Sequence, residues 1–174
     1  MSRCAVLLRG INVGRHNRLA MADLRAVLEG VGCRDVSTYL QSGNALVDAD
    51  PEGLAARVEQ ALPLPVRVVV VPAAGLRAAV SGCPWPDRAA AAPKLVHVTY
   101  LDRELTAGEL APLVGVHGGD ELVAGERVLW SSYATSPLDS PLAKVLGRPV
   151  PGVVMTARNW TTATRLAELV APAP

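Results

Sequence analysis

The residues best suited to chemistry lie together in one polar stretch near the start of the chain. Residues 9–18, RGINVGRHNR, follow a short apolar run and hold three arginines, one histidine, two asparagines and two glycines. Glycine lets a ligand approach the backbone closely, and guanidinium groups pair well with phosphate and carboxylate. The composition favours a loop that binds an anion; the alternative is that these residues only turn the chain.

Two further segments carry polar groups that could join this loop. QSGN at residues 41–44 separates two predicted strands, where Ser-Gly-Asn by itself is typical of a hairpin turn. Arg158 and Asn159 fall in the first turn of a predicted helix, where an arginine opposes the helix dipole and indicates an ion pair, a ligand or a structural role. The candidate ligand-binding residues are Arg9, Gly10, Asn12, Gly14, Arg15, His16, Arg18, Gln41, Ser42, Asn44, Arg158 and Asn159.

The spacing of the remaining reactive side chains argues against a metal or a known catalytic motif. None of His16, His97 and His117 has a second ligand at metal-motif spacing, so neither a metal nor a cofactor is predicted. Gly14 is not followed by the Gly-Lys-Ser/Thr of a phosphate-binding P-loop. An enzyme hypothesis would use Ser42 as nucleophile, His16 as base, and Asn12 or Asn44 to stabilise an oxyanion.

Composition limits the classes of function. Seventeen basic residues against sixteen acidic ones give a net charge of +1, which excludes coating of nucleic acid by charge alone but leaves a local basic patch open. The three cysteines are an odd number without a Cys-x-x-Cys motif, and no signal peptide or membrane helix is predicted. We expect a cytoplasmic protein with reduced thiols and no membrane partner.

The elements that must position these residues follow from hydrophobic periodicity. The first half reads β-α-β-β-α-β, the split unit of ferredoxin-like folds. Its predicted strands cover 4–8, 36–41, 45–48 and 66–71, and its helices 21–31 and 51–62, the latter opened by Asp50-Pro51. In this unit the first strand lies antiparallel beside the third, so we expect the loop 9–18 to meet the turn 41–44.

The second half repeats the pattern without repeating the residues. Strands are predicted at 95–101, 121–123, 127–132 and 153–155, with helices capped by Thr106 and Ser140 and a last helix capped by Thr156. The predicted domains are 1–80, a Pro/Ala-rich linker at 81–94, and 95–174 with the extra C-terminal helix. The fold class is therefore α+β with two ferredoxin-like units; one mixed sheet with unrelated halves is the alternative.

Four segments carry a resemblance to a known family. LLRGINVGRHN, MADLRAVLEGVG, TYLQSGNALV and TARNWTTATRL resemble the bacterial family named domain of unknown function 1697. The resemblance implies a duplicated α+β fold and a set of positions, but no activity. The chain departs from the family pattern at Arg15-His16, at Ala134 in place of a proline, and at Arg165 in place of a lysine.

Three functions are compatible with these observations. The first is a binding protein for a phosphate-bearing small molecule or a nucleic-acid end at the 9–18 loop. The second is a hydrolase or transferase that uses the same cleft. The third is a protein-interaction module that offers a sheet face. Because the matching hairpin in the second half, 124–126, is acidic and lacks the Ser-Gly-Asn donors, we expect one site and not two.

Overall fold

The chain forms two compact units, each built on its own sheet. The computed structural model describes residues 1–12, 17–114 and 118–170. The first unit comprises Met1–Ala78 and the chain from Leu166 onward, and the second comprises Ala79–Arg165. In the described part of the chain, no helix is both long enough and apolar enough to cross a lipid bilayer.

The first unit is a four-stranded antiparallel sheet with helices. Its elements are β1 (Ser2–Leu8), α1 (Met21–Gly30), β2 (Arg34–Tyr39), β3 (Asn44–Ala49), α2 (Leu54–Ala61) and β4 (Val68–Pro72), followed by α3 (Ala73–Ser81). The strand order is β2-β3-β1-β4, and β1 pairs antiparallel with both of its neighbours. This arrangement confirms the predicted ferredoxin-like unit.

The core of the first unit follows the two periodicities in the sequence. Cys4, Val6 and Leu8 alternate along β1 and belong to one buried apolar cluster that also contains Leu24 of α1 and Leu54 of α2. Alternate strand residues share a face, and helix residues three or four apart share a stripe, so α1 and α2 bury one side against this face of β1. Ala5 and Leu7, on the other face of β1, are fully buried as well. The cluster fixes β1 in the middle of the sheet.

The second unit has the same strand order. Its elements are α4 (Pro86–Ala91), β5 (Val96–Leu101), α5 (Ala107–Leu110), β6 (Glu121–Gly125), β7 (Val128–Ser132), α6 (Pro141–Leu146), β8 (Met155–Asn159) and α7 (Trp160–Leu169), the last passing into the first unit at Leu166. The sheet runs β6-β7-β5-β8, which corresponds strand for strand to the first unit. The duplicated α+β fold predicted from the sequence is therefore observed.

Several predicted boundaries differ from the structure. The segment 81–94, expected to be a linker, contains α4, because alanine is a strong helix former and Pro86 occupies a first-turn position. Helix α2 begins at Leu54 and not at the predicted Asp50-Pro51. Asp50 Oδ1 accepts a hydrogen bond from the Glu52 amide in a separate turn that precedes the helix. The predicted caps Thr106 and Ser140 are both confirmed.

The last strand is longer than predicted, so two candidate residues lie in the strand and not in the first turn of the helix. β8 runs from Met155 to Asn159, so Thr156 lies within the strand and does not cap the helix. The cap is Asn159, whose Oδ1 accepts a hydrogen bond from the Thr162 amide at 2.9 Å. Arg158 is consequently a strand residue, so it does not oppose a helix dipole and the prediction that it does is wrong.

Candidate functional site

Antiparallel pairing of β1 with β3 brings the polar loop and the polar turn together. Leu7 lies opposite Asn44, and the Leu8 amide donates to the Gly43 carbonyl at 2.8 Å. On the other side, the Arg9 amide donates to the carbonyl of Arg67 at 2.9 Å, just before β4. The chain therefore leaves β1 between its two neighbours, at the sheet edge where the 41–44 turn lies.

The Asn12 side chain joins the loop to the turn. Its Nδ2 donates to the Gln41 carbonyl at 2.6 Å and to the Leu19 carbonyl at 3.0 Å, and its Oδ1 accepts from the Leu19 amide at 3.0 Å. Both amide hydrogens are thus used inside the protein. The geometry assigns Asn12 to construction of the loop, and does not support its predicted use as an oxyanion donor.

Asn44 has a similar internal role in the turn. It is fully buried, and its Nδ2 donates to the Tyr39 carbonyl at 2.9 Å and to Ser42 Oγ at 3.0 Å. These bonds hold the two ends of the turn together and fix the position of the Ser42 hydroxyl. Asn44, like Asn12, has no amide hydrogen left to donate to a ligand.

Gly43 lets the turn close on the loop. Its φ is +78°, and a Cβ built on it would lie 2.8 Å from Leu8 Cβ and 2.9 Å from two side-chain carbons of Ile11. Ile11 is itself buried, with 2% of its surface exposed. No side chain fits at position 43 without displacing its neighbours. Gly43 therefore allows the turn to approach the loop closely, a role that the sequence did not predict.

The groups that face solvent are cationic or neutral polar. Gly10, Arg18, Gln41 and Ser42 are exposed, and Arg9 is half-buried. Asn17 Nδ2 donates to the Gly10 carbonyl at 3.2 Å and so closes the mouth of the loop. Neither residues 9–20 nor residues 40–44 contain an aspartate or glutamate. Arg18 makes no ion pair with any residue in the ranges that the structure describes.

Three candidates, Gly14, Arg15 and His16, lie outside the described residues. The proposed Ser42–His16 pair is therefore not tested by the geometry. The two remaining candidates, Arg158 and Asn159, lie in the second unit, Asn159 as the cap of α7. The structure thus brings together Arg9, Gly10, Asn12, Arg18, Gln41, Ser42 and Asn44 within the first unit.

Arg158 is a buried cation in the second sheet. Only 8% of it is exposed, and its Nη1 donates to Thr156 Oγ1 and to the Ala157 carbonyl, both at 2.7 Å. Burial lowers its pKa to about 10, and the proximity of Tyr100 opposes this shift. Arg158 stays protonated at neutral pH, and burial raises the pKa of Tyr100.

Cys4, Cys33 and His97 are held within the packed structure, and burial shifts the pKa of each. Burial raises the pKa of Cys4 to about 11, and it raises the pKa of Cys33 as well. His97 packs edge-on against Tyr133 with 5.1 Å between ring centroids, and burial lowers its pKa. Among the described residues, no group of three His, Cys, Asp or Glu side chains could hold a metal ion.

Fold and site together define a class: a duplicated α+β protein with a polar loop and turn beside the central strand of its first sheet. The chain belongs to the family described as protein of unknown function (DUF1697), whose sequence model matches residues 1–130. The match includes the 9–18 loop and the 41–44 turn, and ends before Arg158.

One solved structure gives independent support for the fold. The conserved bacterial protein SP0830 from Streptococcus pneumoniae is similar over 98% of this chain and 99% of its own, with a TM-score of 0.72 and 21% sequence identity. At this identity the likeness establishes the shared architecture alone. The comparison with curated proteins found no match.

Proposed function

We propose that the first unit binds a phosphate group through the 9–18 loop and the 41–44 turn. The phosphate would be carried by a small molecule or by the end of a nucleic acid. The three cysteines are free, which supports our further proposal that the protein works in the reducing cytoplasm of a bacterium.

The observation that carries the proposal is that Asn12 ties the loop to the turn, within two segments, 9–20 and 40–44, that contain no aspartate or glutamate. Its three side-chain hydrogen bonds tie the base of the loop to the turn, so the exposed Arg18 and Ser42 are presented from an ordered scaffold. Arginine pairs with phosphate through charge-assisted hydrogen bonds, and preorganisation reduces the entropy lost on binding.

The backbone of the loop supports the same interpretation. Asn12 and Asn17 have φ values of 54° and 50°, a left-handed conformation that asparagine tolerates best after glycine, whereas Leu40, beside the turn, has a φ of 58°, which is costly for a leucine. Such outliers concentrate at ligand-binding segments. Gly10 also has a positive φ, and no atom of the described residues lies within 4 Å of a Cβ built there, which leaves room beside its backbone for a ligand.

The start of α1 adds favourable electrostatics. The loop leads directly into this helix, and its cap, Ala20, supplies no side-chain acceptor for the first amides. Unpaired N–H groups at a helix start carry partial positive charge and favour a nearby anion. Asp23 in the first turn offsets part of this field, so the arginines carry the main attraction.

Isothermal titration of the full chain tests the proposal. The probes are inorganic phosphate and a short oligonucleotide with either a 5′-phosphate or a 5′-hydroxyl. We expect both phosphate probes to bind, and Arg18→Ala to weaken binding about tenfold, the value of one charge-assisted hydrogen bond.

The matched control is Arg77→Ala, an exposed arginine on α3 of the same unit. This variant changes the net charge by the same amount as Arg18→Ala, but the residue lies outside the loop and the turn. It should therefore bind phosphate within about twofold of the wild type. An equal loss of phosphate affinity in Arg18→Ala and Arg77→Ala would mean that binding depends only on the net charge of the protein and not on the loop. Absence of binding by every phosphate probe would refute the proposal.

A further inference from the structure

The second unit contains a cavity at the position that corresponds to the candidate site of the first. In the first unit, the segment after β1 meets the turn between β2 and β3. The equivalent parts of the second unit are residues 102–106 after β5 and the turn between β6 and β7. A cavity of about 310 Å³ lies there, lined by Leu101, Glu104, Leu105, Leu110, Ala124, Gly125, Glu126 and Leu129.

The difference in loop length explains why this position is open. Twelve residues, 9–20, separate β1 from α1, and the buried Ile11 fills the space beneath the turn. Only five residues, 102–106, separate β5 from α5, and the corresponding apolar side chain, Leu105, is only half-buried. The short loop leaves open the space that Ile11 fills in the first unit.

The floor and one wall of the cavity are apolar and firmly held. Leu101 and Leu129 are buried members of the second unit's core, with 2% and 1% of their surfaces exposed. Trp130 packs so closely on Gly125 that a Cβ there would lie 2.6 Å from the indole ring. The indole Nε1 donates to the Ala79 carbonyl at 2.8 Å, which fixes the ring behind the wall. The cavity is therefore preformed.

The charged side chains that line the cavity are both negative, Glu104 and Glu126. Glu104 and Glu126 are exposed, and within the described ranges neither carboxylate takes part in an ion pair. The nearby Arg103 is bound to Glu109 through two hydrogen bonds of 2.9 and 2.6 Å, so these two charges cancel. Arg127, at the tip of the hairpin, does not line the cavity.

We infer that this cavity binds a small organic cation, namely an ammonium group on an apolar body. The leucines would take the apolar body, and the two carboxylates would pair with the ammonium group at the opening. Ligand pockets commonly combine an apolar lining of this volume with a few polar groups that set orientation. This site is independent of the phosphate site, because its residues lie in the other unit and carry the opposite charge.

The experiment is an NMR titration of the ¹⁵N-labelled full chain with hexylammonium, 1-hexanol and hexanoate. We expect hexylammonium to shift the amides of Leu105, Leu110 and Ala124, and to bind more tightly than the neutral alcohol and the anion. Each carboxylate should contribute about two- to fivefold in affinity, as exposed ion pairs do. The double variant Glu104→Gln, Glu126→Gln should bind hexylammonium and 1-hexanol alike.

The matched control is Glu121→Gln, which removes an exposed carboxylate from the same hairpin but outside the cavity. It should keep the preference for the cation. The inference is overturned if the lining amides do not shift, if the alcohol or hexanoate binds as tightly as hexylammonium, or if the control loses as much affinity as the double variant.

Discussion

Replacing Gly43 by alanine tests whether the loop and turn are built against each other. Alanine at φ +78° costs about 1–2 kcal/mol for the left-handed backbone alone. The added Cβ would also lie 2.8 Å from Leu8 Cβ, which is fixed to the backbone of β1 and cannot swing aside. Overpacking of this kind adds about 1–3 kcal/mol. We therefore expect Gly43→Ala to lower the free energy of unfolding by about 2–5 kcal/mol.

Gly10 provides the matched control. Its φ is +68°, but a Cβ built there meets no atom of residues 1–12, 17–114 or 118–170 within 4 Å. Gly10→Ala should carry only the backbone cost of about 1–2 kcal/mol, so the difference between the variants isolates the steric cost. The assay is urea unfolding followed by circular dichroism, with the midpoint and slope compared.

A double-mutant cycle identifies the contact responsible. Ile11→Val removes the Cδ1 atom that lies 2.9 Å from the built Cβ, and should cost about 0.5–1.5 kcal/mol in the wild type. In the Gly43→Ala background it should cost less, because it relieves the part of the overlap that Cδ1 makes, while Cγ1 and Leu8 Cβ keep theirs. Equal stability of Gly43→Ala and Gly10→Ala, or strict additivity with Ile11→Val, would refute the close approach.

Two further predictions concern other described residues. Asn12→Ala should lower the free energy of unfolding by about 2–4 kcal/mol, because three hydrogen bonds are lost and the Leu19 amide is left unpaired; a change below about 0.5 kcal/mol in urea unfolding would contradict this. Burial raises the pKa of Cys4 from 9.0 to about 11, so the folded state holds this proton more tightly. The resulting stabilisation is present below pH 9 and is lost as the pH rises through 11. Stability should therefore fall more steeply in this range for the wild type than for Cys4→Ala, and parallel pH profiles would count against the shift.

The fold was predictable where the sequence carries strong local signals. The apolar run Cys4–Leu8 indicates a central strand, and Thr106 and Ser140 mark helix starts through the hydrogen bonds that they form. The twofold β-α-β-β-α-β order follows from such signals, because element type depends mainly on periodicity and caps.

The errors occurred where one residue type suits two structures. Threonine favours both strands and helix caps. The sequence therefore predicts a cap at Thr156, whereas the strand continues to Asn159. The segment around 86–91 combines prolines that break helices with alanines that favour them, and Pro86 at the first turn decides the outcome. Asp50-Pro51 likewise has the form of a helix start but makes a separate turn.

The meeting of the loop with the turn was predictable, but the division of roles among their residues was not. Antiparallel pairing of the first and third strands was enough to expect the loop beside the turn. It could not show that Asn12 donates to two backbone carbonyls, or that Asn44 donates to the Tyr39 carbonyl and to Ser42 Oγ, because the spacing of residues in the sequence does not encode those side-chain angles. The role of Gly43 required the position of Ile11, which is fixed only by the folded core.

The hydrogen bond from Asn12 to Gln41 has a consequence for the order of folding events. Its partners are separated by 29 residues, and the bond needs β1 already paired with β3. Contacts of this sequence separation form slowly, since a long segment must be ordered before they contribute. The loop should therefore acquire its shape late, after the sheet has assembled. If a phosphate binds there as proposed, it would bind only chains that have completed this step, and would raise their free energy of unfolding.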